Sequence, residues 1–370
     1  MGAEATRIGS PETLLTGYAA QSLHLGCIGS HSALEIAYGA REEGLRTVVV
    51  CESGRDQTYT RRYRHLFDEV LVLDRFVDVA TTDVVARLRE LNTVFVPNRS
   101  FAVYVGYDAI ETRFPVPLFG GRRLLRAEER TASPNQYDLL ETAGVRSPRR
   151  FNSPDQIDRL VMVKLPQAQR AVERGFFTAA SVDDYRTKSR DLLARNAIRA
   201  EDLETATIEE FVVGANFNLD YFVSPLAGQV EFLGADQRIE SNIEGVLHMT
   251  ALEQAILPVQ PTLIPVGHRG VTVRESLLDK VFEAGERLAS AAAGAYPPGI
   301  IGPFALQGIF DDRGEFVCFD VSLRVPGAPI LLTTSPYTRY LYGKEMSVGR
   351  RIASELHQAA TNGRLQEVIT

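Results

Sequence analysis

The sequence predicts a mixed α/β protein in which a parallel α/β domain precedes an α+β region. The chain has 370 residues, enough for two or three domains. In its first third, short apolar strands alternate with helices of about ten residues, as in a parallel sheet with right-handed crossovers. Later segments instead read as consecutive strands and a hairpin. We place the boundary within residues 120–130 and assign residues 1–125 and 126–370 to the two parts.

The elements of the first domain follow from hydrophobic patterning. Strands are predicted at residues 24–30, 47–51, 70–73 and 93–96, and helices at residues 32–43 and 82–91. Ligands of parallel sheets bind beyond the carboxyl ends of the strands. The loops after these strands read IGSHS, CESGRD and VPNRS, and we expect a binding site there.

The second region begins with a helix that Ser133 can cap, with Pro134 in its first turn and Gly144 at its end. A strand at residues 160–164 and a helix at 181–194 follow. Consecutive antiparallel strands are predicted at residues 207–213, 216–223 and 230–233. The remaining elements are a helix at residues 276–293, a hairpin of strands 304–310 and 316–322, and a helix at 347–361.

Composition excludes several classes of protein. The net charge is −7 and the pI is about 5.5, so nucleic-acid binding is not expected. No apolar run reaches the roughly 18 residues of a membrane span, and the N-terminus lacks the apolar core of a signal peptide. Three distant cysteines and six histidines show no disulfide or zinc spacing. We therefore expect a soluble cytoplasmic protein with buried, reduced thiols.

The hairpin at residues 304–322 carries a candidate metal site. With a four-residue loop, the numbers of directly paired residues sum to an odd value, so Gln307 and Asp320 point to the same face. An acid inside so apolar a strand is costly when buried unpaired. Arg324 follows four residues later, which favours a metal or phosphate site. The alternative is an outward, solvated face.

Two further segments suit a nucleotide. Lys164, one of only four lysines, ends an apolar strand, where it can neutralise phosphates. Alternatively it extends to solvent. Glu209 and Glu210 end the strand IEEFVVG and form either a hinge that offers backbone groups to a base or the charges of an edge strand.

The first domain carries a candidate anion site. Ser30 and His31 lie where a parallel strand gives way to a helix N-terminus, a position that binds anions through backbone amides. Arg55 and Ser100 occupy the corresponding ends of later strands. Any one of these residues suits a cap or turn, but together they indicate a phosphorylated small molecule.

These motifs taken together identify a family. In order along the chain, IGSHSALEI, VPNRSF, VMVKLP, IEEFVVG, NFNLDYFVSP, DQRIESNIEG and PPGIIGPFALQ resemble the archaeal formate-dependent FAICAR synthetases, also called PurP. The resemblance implies an ATP-grasp fold, with residues 126–215 as lid and hinge and 216–370 as the metal and ATP subdomain. It also implies an enzyme that uses ATP and Mg²⁺ to join formate to the amine of AICAR, a purine ribonucleotide. A homo-oligomer is expected.

The resemblance also assigns residues. His31 and Ser100 match positions that contact AICAR, and His268 stands where the family has a ligand-contacting asparagine. Three further parts of the chain match ATP-contacting positions of the family. They are Lys164, the hinge segment that contains Glu209, Glu210 and Val212, and Glu240. Gln307 and Asp320 match the metal-binding pair.

The chain departs from the family at both sites. The glycine-rich lid is replaced by QAQRAVERG, in which Arg170 and Arg174 can compensate for lost backbone amides, and Ile330 replaces an asparagine. Asp138 replaces a lysine, and Asn98 and Arg99 replace His-Gly. Two alternatives to the family reaction follow: an amide ligase with another acid and amine, or an inactive nucleotide-binding paralogue.

Overall fold

A computed structural model describes residues 8–165, 176–256, 263–328 and 331–370. Its N-terminal part is a parallel sheet in the order β3-β2-β1-β4, as the alternating pattern predicts. The strands are β1 (His24–Ile28), β2 (Arg46–Glu52), β3 (Glu69–Leu73) and β4 (Thr93–Phe95). The helices are α1 (Pro11–Leu14), α2 (Ala33–Glu42), α3 (Thr82–Glu90), α4 (Arg99–Val105) and α5 (Tyr107–Thr112).

A small antiparallel sheet follows, in the order β5-β8-β6-β7. Its strands are β5 (Arg150–Phe151), β6 (Val161–Lys164), β7 (Phe176–Ala179) and β8 (Thr207–Glu210), and its helices are α6 (Gln136–Thr142), α7 (Val182–Ala194) and α8 (Ala200–Glu204). The predicted run of three consecutive antiparallel strands is therefore wrong in one respect. Its first strand, β8, belongs to this sheet and not to the next one.

The start of α6 also differs from the prediction. Asn135, not Ser133, caps the helix: its Oδ1 accepts from the backbone N–H of Tyr137 at 2.8 Å. The Asp138 carboxylate accepts from the Asn135 N–H at 2.8 Å and completes a capping box, which gives this aspartate a structural role. Gly144 follows the helix with φ +62°, as its predicted terminating position requires.

The largest sheet has five antiparallel strands in the order β11-β10-β9-β12-β13. They are β9 (Ala215–Ser224), β10 (Gln229–Asn242), β11 (Leu263–Val271), β12 (Gly302–Phe310) and β13 (Phe316–Ser322). The helices of this part are α9 (Ile243–Leu247), α10 (Ala251–Ile256), α11 (Leu278–Ala295), α12 (Leu331–Thr334), α13 (Pro336–Tyr342) and α14 (Val348–Thr361). Strand β10 continues well beyond the predicted residues 230–233.

The two faces of the five-stranded sheet differ in chemistry. One face packs against α11 through aromatic side chains, with the Tyr221 and Phe304 rings stacked at 4.9 Å and Val281 and Leu288 fully buried. Burial of apolar area at this interface is the main stabilising contribution of the subdomain. The opposite face carries polar side chains and holds the candidate site.

Helix α14 connects the end of the chain to the first sheet. It packs on α2, and the helices approach so closely that a Cβ on Gly39 would clash with the backbone of Arg350. The buried Glu35 carboxylate accepts from the Val348 N–H at 3.0 Å. Across the described residues, no helix is both long and apolar enough to cross a membrane. The three cysteines are free and buried, as predicted.

Candidate functional site

A row of polar residues crosses the open face of the five-stranded sheet. Strand pairing places Asp236 opposite Asn218, Asn218 opposite Gln307, and Gln307 opposite Asp320. All four belong to strands whose other residues are mainly apolar, and Asn218, Asp236 and Gln307 are buried. The row therefore lies at a protein-lined site and not on a solvated face, which rules out the alternative for the hairpin.

The predicted pairing of Gln307 with Asp320 is confirmed, but the reason for it is different. Near the turn, the numbers of directly paired residues sum to an even value. Phe310 lies opposite Phe316, so the loop has five residues and not four. A β-bulge between Gln307 and Gly308 then adds Phe319 to β13 and restores the odd sum. Without that extra residue, Asp320 would lie on the apolar face.

The chemistry of this pair fits a magnesium ion. Gln307 donates from Nε2 to Ser322 Oγ at 3.0 Å, and its Oε1 is buried with no hydrogen-bond partner in the structure. The Asp320 carboxylate lies opposite, with Arg130 at 3.6 Å. Amide and carboxylate oxygens are the ligands that Mg²⁺ prefers, usually together with substrate phosphates. Among the described residues, no group of three or more His, Cys, Asp and Glu is arranged to hold a metal.

Lys164 lies beside the metal pair and is buried, so the solvent-extended alternative is wrong. Its Nζ donates to the carbonyl oxygen of Phe319 at 3.1 Å and forms an ion pair with Glu209. Strand β8 has neighbours on both sides, so the edge-strand alternative for Glu209 and Glu210 is also wrong. Glu210 pairs with Arg159 at 3.2 Å nearer the surface.

Two residues that the sequence did not suggest connect Lys164 to Asp320. Glu209 accepts from the Tyr137 hydroxyl at 3.3 Å, and Arg130 Nε donates to the same hydroxyl at 3.3 Å. Arg130 then reaches Asp320. Burial and the Glu209 charge raise the pKa of Tyr137 above its usual range, so it remains a neutral donor.

The other two residues assigned to ATP by resemblance lie at the margins of this cluster. Val212 is half-buried just after β8. Glu240 lies on β10 four residues beyond Asp236, so strand alternation places both on the polar face.

The candidate anion site lies at the end of β1. Ser30 and Ser100 meet through their hydroxyls at 2.8 Å. Asn98 holds the loop by donating from Nδ2 to the carbonyls of Ile28, Ser30 and His31 at 3.0–3.1 Å. His31 and Ser32 have φ values of +24° and +69°, a left-handed conformation that non-glycine residues adopt mainly at functional sites.

The start of α2 contacts the segment that follows β13. The Ser32 hydroxyl donates to the Pro326 carbonyl at 3.0 Å and makes no side-chain cap. It therefore joins the first domain to the segment after β13. The Arg55 guanidinium lies over the rings of Phe76 and Tyr104, 5.5 Å from each centroid.

His31 is surrounded by positive charge. Burial, followed by the charges of Arg324, His268, Arg238 and Arg99, lowers the pKa of His31 to about 3, so the imidazole is neutral. These groups come from separate segments, so the fold assembles the charge. The surroundings suit an anionic ligand.

Glu128 fixes two of these arginines. It lies 3.4 Å from both Arg99 and Arg324 and also accepts from the Leu323 N–H at 2.7 Å. The buried carboxylate therefore holds Arg324, which the sequence predicts at a metal or phosphate site of the hairpin, near His31.

His268 is brought to the same region by β11. Its Nδ1 lies 2.8 Å from Asp236 Oδ1, and its backbone pairs with Arg238. Sequence reasoning missed Asp236, Asn218 and Asp220, although alternating polar residues within NFNLDYF were an available signal. Asp220 is fully buried, and burial together with Asp236 raises its pKa well above the usual range.

The lid departures lie outside the described residues. This applies to Arg170, Glu173 and Arg174 and also to Ile330. The described part of the site consists of the polar row, the Lys164 cluster and the His31 pocket.

Two family models match the chain. The model described as a domain of unknown function, DUF1297, matches residues 184–370, and the model described as a protein of unknown function, DUF1246, matches residues 25–151. Two curated relatives are both called 5-formaminoimidazole-4-carboxamide-1-(beta)-D-ribofuranosyl 5'-monophosphate synthetase. The one from Methanopyrus kandleri is 43% identical, covering 96% of this chain and 98% of its own. The one from Methanothermobacter thermautotrophicus is 40% identical, and the match covers 96% of this chain and 97% of the relative.

Solved structures give the same result for the fold. The IMP biosynthesis protein PurP from Thermococcus kodakaraensis superposes with a TM-score of 0.69 at 27% identity, covering 94% of this chain and all of its own. An ADP complex of PurK, N5-carboxyaminoimidazole ribonucleotide synthetase, superposes with a TM-score of 0.60 at 14% identity, covering 95% and 79%. The predicted ATP-grasp fold is confirmed.

Proposed function

The chain belongs to the 5-formaminoimidazole-4-carboxamide ribonucleotide synthetase family, and we propose that it catalyses the same ATP-dependent formylation. The relatives' product carries a formyl group on the imidazole amine. The substrates are then AICAR, which supplies that amine, and formate. The reaction type is a carboxylate–amine ligation that proceeds through an acyl phosphate.

One observation supports the substrate class most strongly. Burial and then the guanidinium groups of Arg324, Arg238 and Arg99 lower the pKa of His31, so the imidazole is neutral. So much positive charge beside the Ser30 and Ser100 hydroxyls suits the phosphate of a ribonucleotide. The pocket lies where ligands of parallel sheets bind.

The nucleotide roles follow from the second cluster. We assign Lys164 to the ATP phosphates, the segment from Glu209 to Val212 to the base, and Glu240 to the nucleotide as well. Gln307 and Asp320 would hold Mg²⁺. A magnesium ion held there would neutralise charge on the phosphates. Arg130 and Tyr137 keep Asp320 and Glu209 oriented toward that position.

The domain division is also a proposal. Residues 1–125 would bind the amine, residues 126–215 form the lid and hinge, and residues 216–370 bind metal and ATP. A cytoplasmic location and a homo-oligomeric state stay predictions. The relatives' names and the Lys164, Gln307 and Asp320 cluster favour formylation over the two alternatives.

The test is a product assay. The purified chain is incubated with ATP, Mg²⁺, formate and AICAR, and both ADP and the formylated nucleotide are quantified. We expect equal amounts of the two products and no formylated product when any one substrate is omitted. ADP release that is independent of AICAR and formate would contradict the proposal, and turnover with another acid or amine would support the ligase alternative.

A further inference from the structure

His268 and Asp236 form a carboxylate–imidazole pair. His268 Nδ1 lies 2.8 Å from Asp236 Oδ1, and the exposed fractions of the two side chains are 23% and 1%. A buried carboxylate in this position fixes the proton on Nδ1 and leaves the lone pair of Nε2 available. The imidazole is therefore arranged to accept a proton at Nε2.

A second side chain holds the Asp236 carboxyl group in place. Asn218 Nδ2 donates to the same Oδ1 atom at 2.7 Å. Asp220, the neighbouring acid on β9, is fully buried, and burial and the charge of Asp236 raise its pKa well above the usual range. Asn218 and His268 therefore both hold Asp236 Oδ1, whereas the carboxyl oxygens of Asp220 have no hydrogen-bond partner among the described residues.

The free Nε2 of His268 faces the same small volume as His31. A Cβ on Gly327 would lie 2.6 Å from His31 Nε2 and 3.6 Å from His268 Nε2, so this glycine leaves space between the rings. Burial and Arg324 lower the pKa of His31 to about 3, which makes it a poor proton acceptor. Of the two imidazoles, only His268 has a carboxylate partner among its described contacts.

Charged groups reach this volume from every neighbouring element. Arg238 lies beside Asp236 on β10, and the charges of Arg99 and Arg324 act on His31 from α4 and from the segment after β13. The cations attract an anionic ligand. They are partly offset by Glu128, which lies 3.4 Å from both Arg99 and Arg324, and by Asp236 on the side of His268.

We propose that His268, held by Asp236, is the base that removes the proton from the substrate amine during acyl transfer. This rests on the proposed function. The amine nitrogen forms a bond to the formyl carbon, the bond from that carbon to the phosphate oxygen breaks, and the electron pair leaves with phosphate. The amine proton passes to Nε2 and from there to solvent.

The decisive variant is His268→Asn, which keeps a polar contact and removes the base. We expect kcat to fall by about 10²–10⁴-fold with little change in the KM for AICAR. We expect the rate of wild type to fall toward acid pH, because a protonated base cannot accept the amine proton, and this fall to be absent from the variant. His248→Asn, at an exposed position, is the matched control and should behave as wild type.

Two further measurements separate a base from a structural residue. Imidazole added to His268→Gly should restore part of the rate. Positional isotope exchange in ATP with formate alone, which reports acyl-phosphate formation, should persist in His268→Asn. If wild type formylates AICAR and His268→Asn keeps its kcat and pH profile, the inference is wrong. If wild type makes no formylated product, both the inference and the proposed function fail.

Discussion

Lys164 donates a hydrogen bond of 3.1 Å from Nζ to the carbonyl oxygen of Phe319, the residue that the β-bulge adds to β13. The bulge therefore does two things at once. It turns Asp320 to the polar face, and it offers a main-chain acceptor to the lysine. Through this bond the small sheet is fastened to the five-stranded sheet beside the candidate metal pair.

The buried ion pair between Lys164 and Glu209 predicts strong thermodynamic coupling. Lys164→Met leaves the Glu209 charge buried and uncompensated, which should lower the free energy of unfolding by about 3–5 kcal/mol. Glu209→Gln should be similarly destabilising, and the double variant should lose much less than the sum. Urea unfolding of all three variants gives the coupling; losses that add within about 0.5 kcal/mol would show that the pair is not coupled.

Asp320→Asn is predicted to abolish Mg²⁺-dependent ATP turnover while leaving the protein folded. The amide cannot supply the negative charge that a magnesium ion requires. Asp312→Asn, at an exposed position in the turn of the same hairpin, is the control and should keep full activity. Normal turnover by the Asp320 variant would remove this residue from the metal pair.

His31→Ala is predicted to weaken AICAR binding by about 1–3 kcal/mol, the scale of one hydrogen bond to a charged group. Calorimetry with the nucleotide and the corresponding nucleoside measures the effect. The nucleoside should bind wild type far more weakly, because it lacks the phosphate that the arginines attract. Equal affinity for the two ligands would contradict the anion site. His65→Ala, on the surface, should change neither affinity.

Glu35 predicts a pH dependence of stability. Burial raises the pKa of Glu35 to about 7, above its ordinary value of 4.5. Its contribution is therefore fully present below about pH 4.5 and is lost as pH rises through 7, by about 3 kcal/mol in total. Glu35→Gln keeps an acceptor for the Val348 N–H but cannot ionise. Unfolding free energies at pH 5 and pH 8 should show the variant gaining on wild type at the higher pH; a constant difference would refute this.

A Gly→Ala substitution in the contact between α2 and α14 is predicted to have the opposite effect to one at an open position of α11. Gly39→Ala places a methyl group against the Arg350 backbone and should cost about 1–3 kcal/mol or more. Gly294→Ala, in α11, meets nothing within 4 Å and should stabilise by roughly 0.5–1 kcal/mol. Thermal unfolding of both variants tests the comparison, and equal midpoints would mean that the helices can separate.

Local patterns predicted much of the secondary structure. Strand and helix alternation over residues 24–96 gave the parallel sheet because each element there has a continuous apolar face. The predicted β10 was too short because the polar residues Asp236, Arg238 and Glu240 break the apolar pattern. These side chains belong to the candidate site and not to the core. The cap of α6 was misplaced by two residues because Ser133 and Asn135 are both good capping residues.

Long-range relationships were beyond the sequence. The bulge at Phe319 leaves no local signature, so the register argument reached the right pair through the wrong loop length. The assignment of β8 to the small sheet depends on pairing with strands β5 and β6. The arginines around His31 lie on segments far apart in the chain, and only the folded structure brings their charges together.

The packing of α14 on α2 has a consequence for biosynthesis. The Val348 N–H and the Glu35 carboxylate that accepts it are 313 positions apart. While the polypeptide emerges from the ribosome, the parallel sheet and α2 are complete long before α14 is synthesised, so their apolar surface stays uncovered for most of translation. The final packing of the first domain therefore waits for the synthesis of α14, and nascent chains stopped before residue 347 should be retained by holdase chaperones.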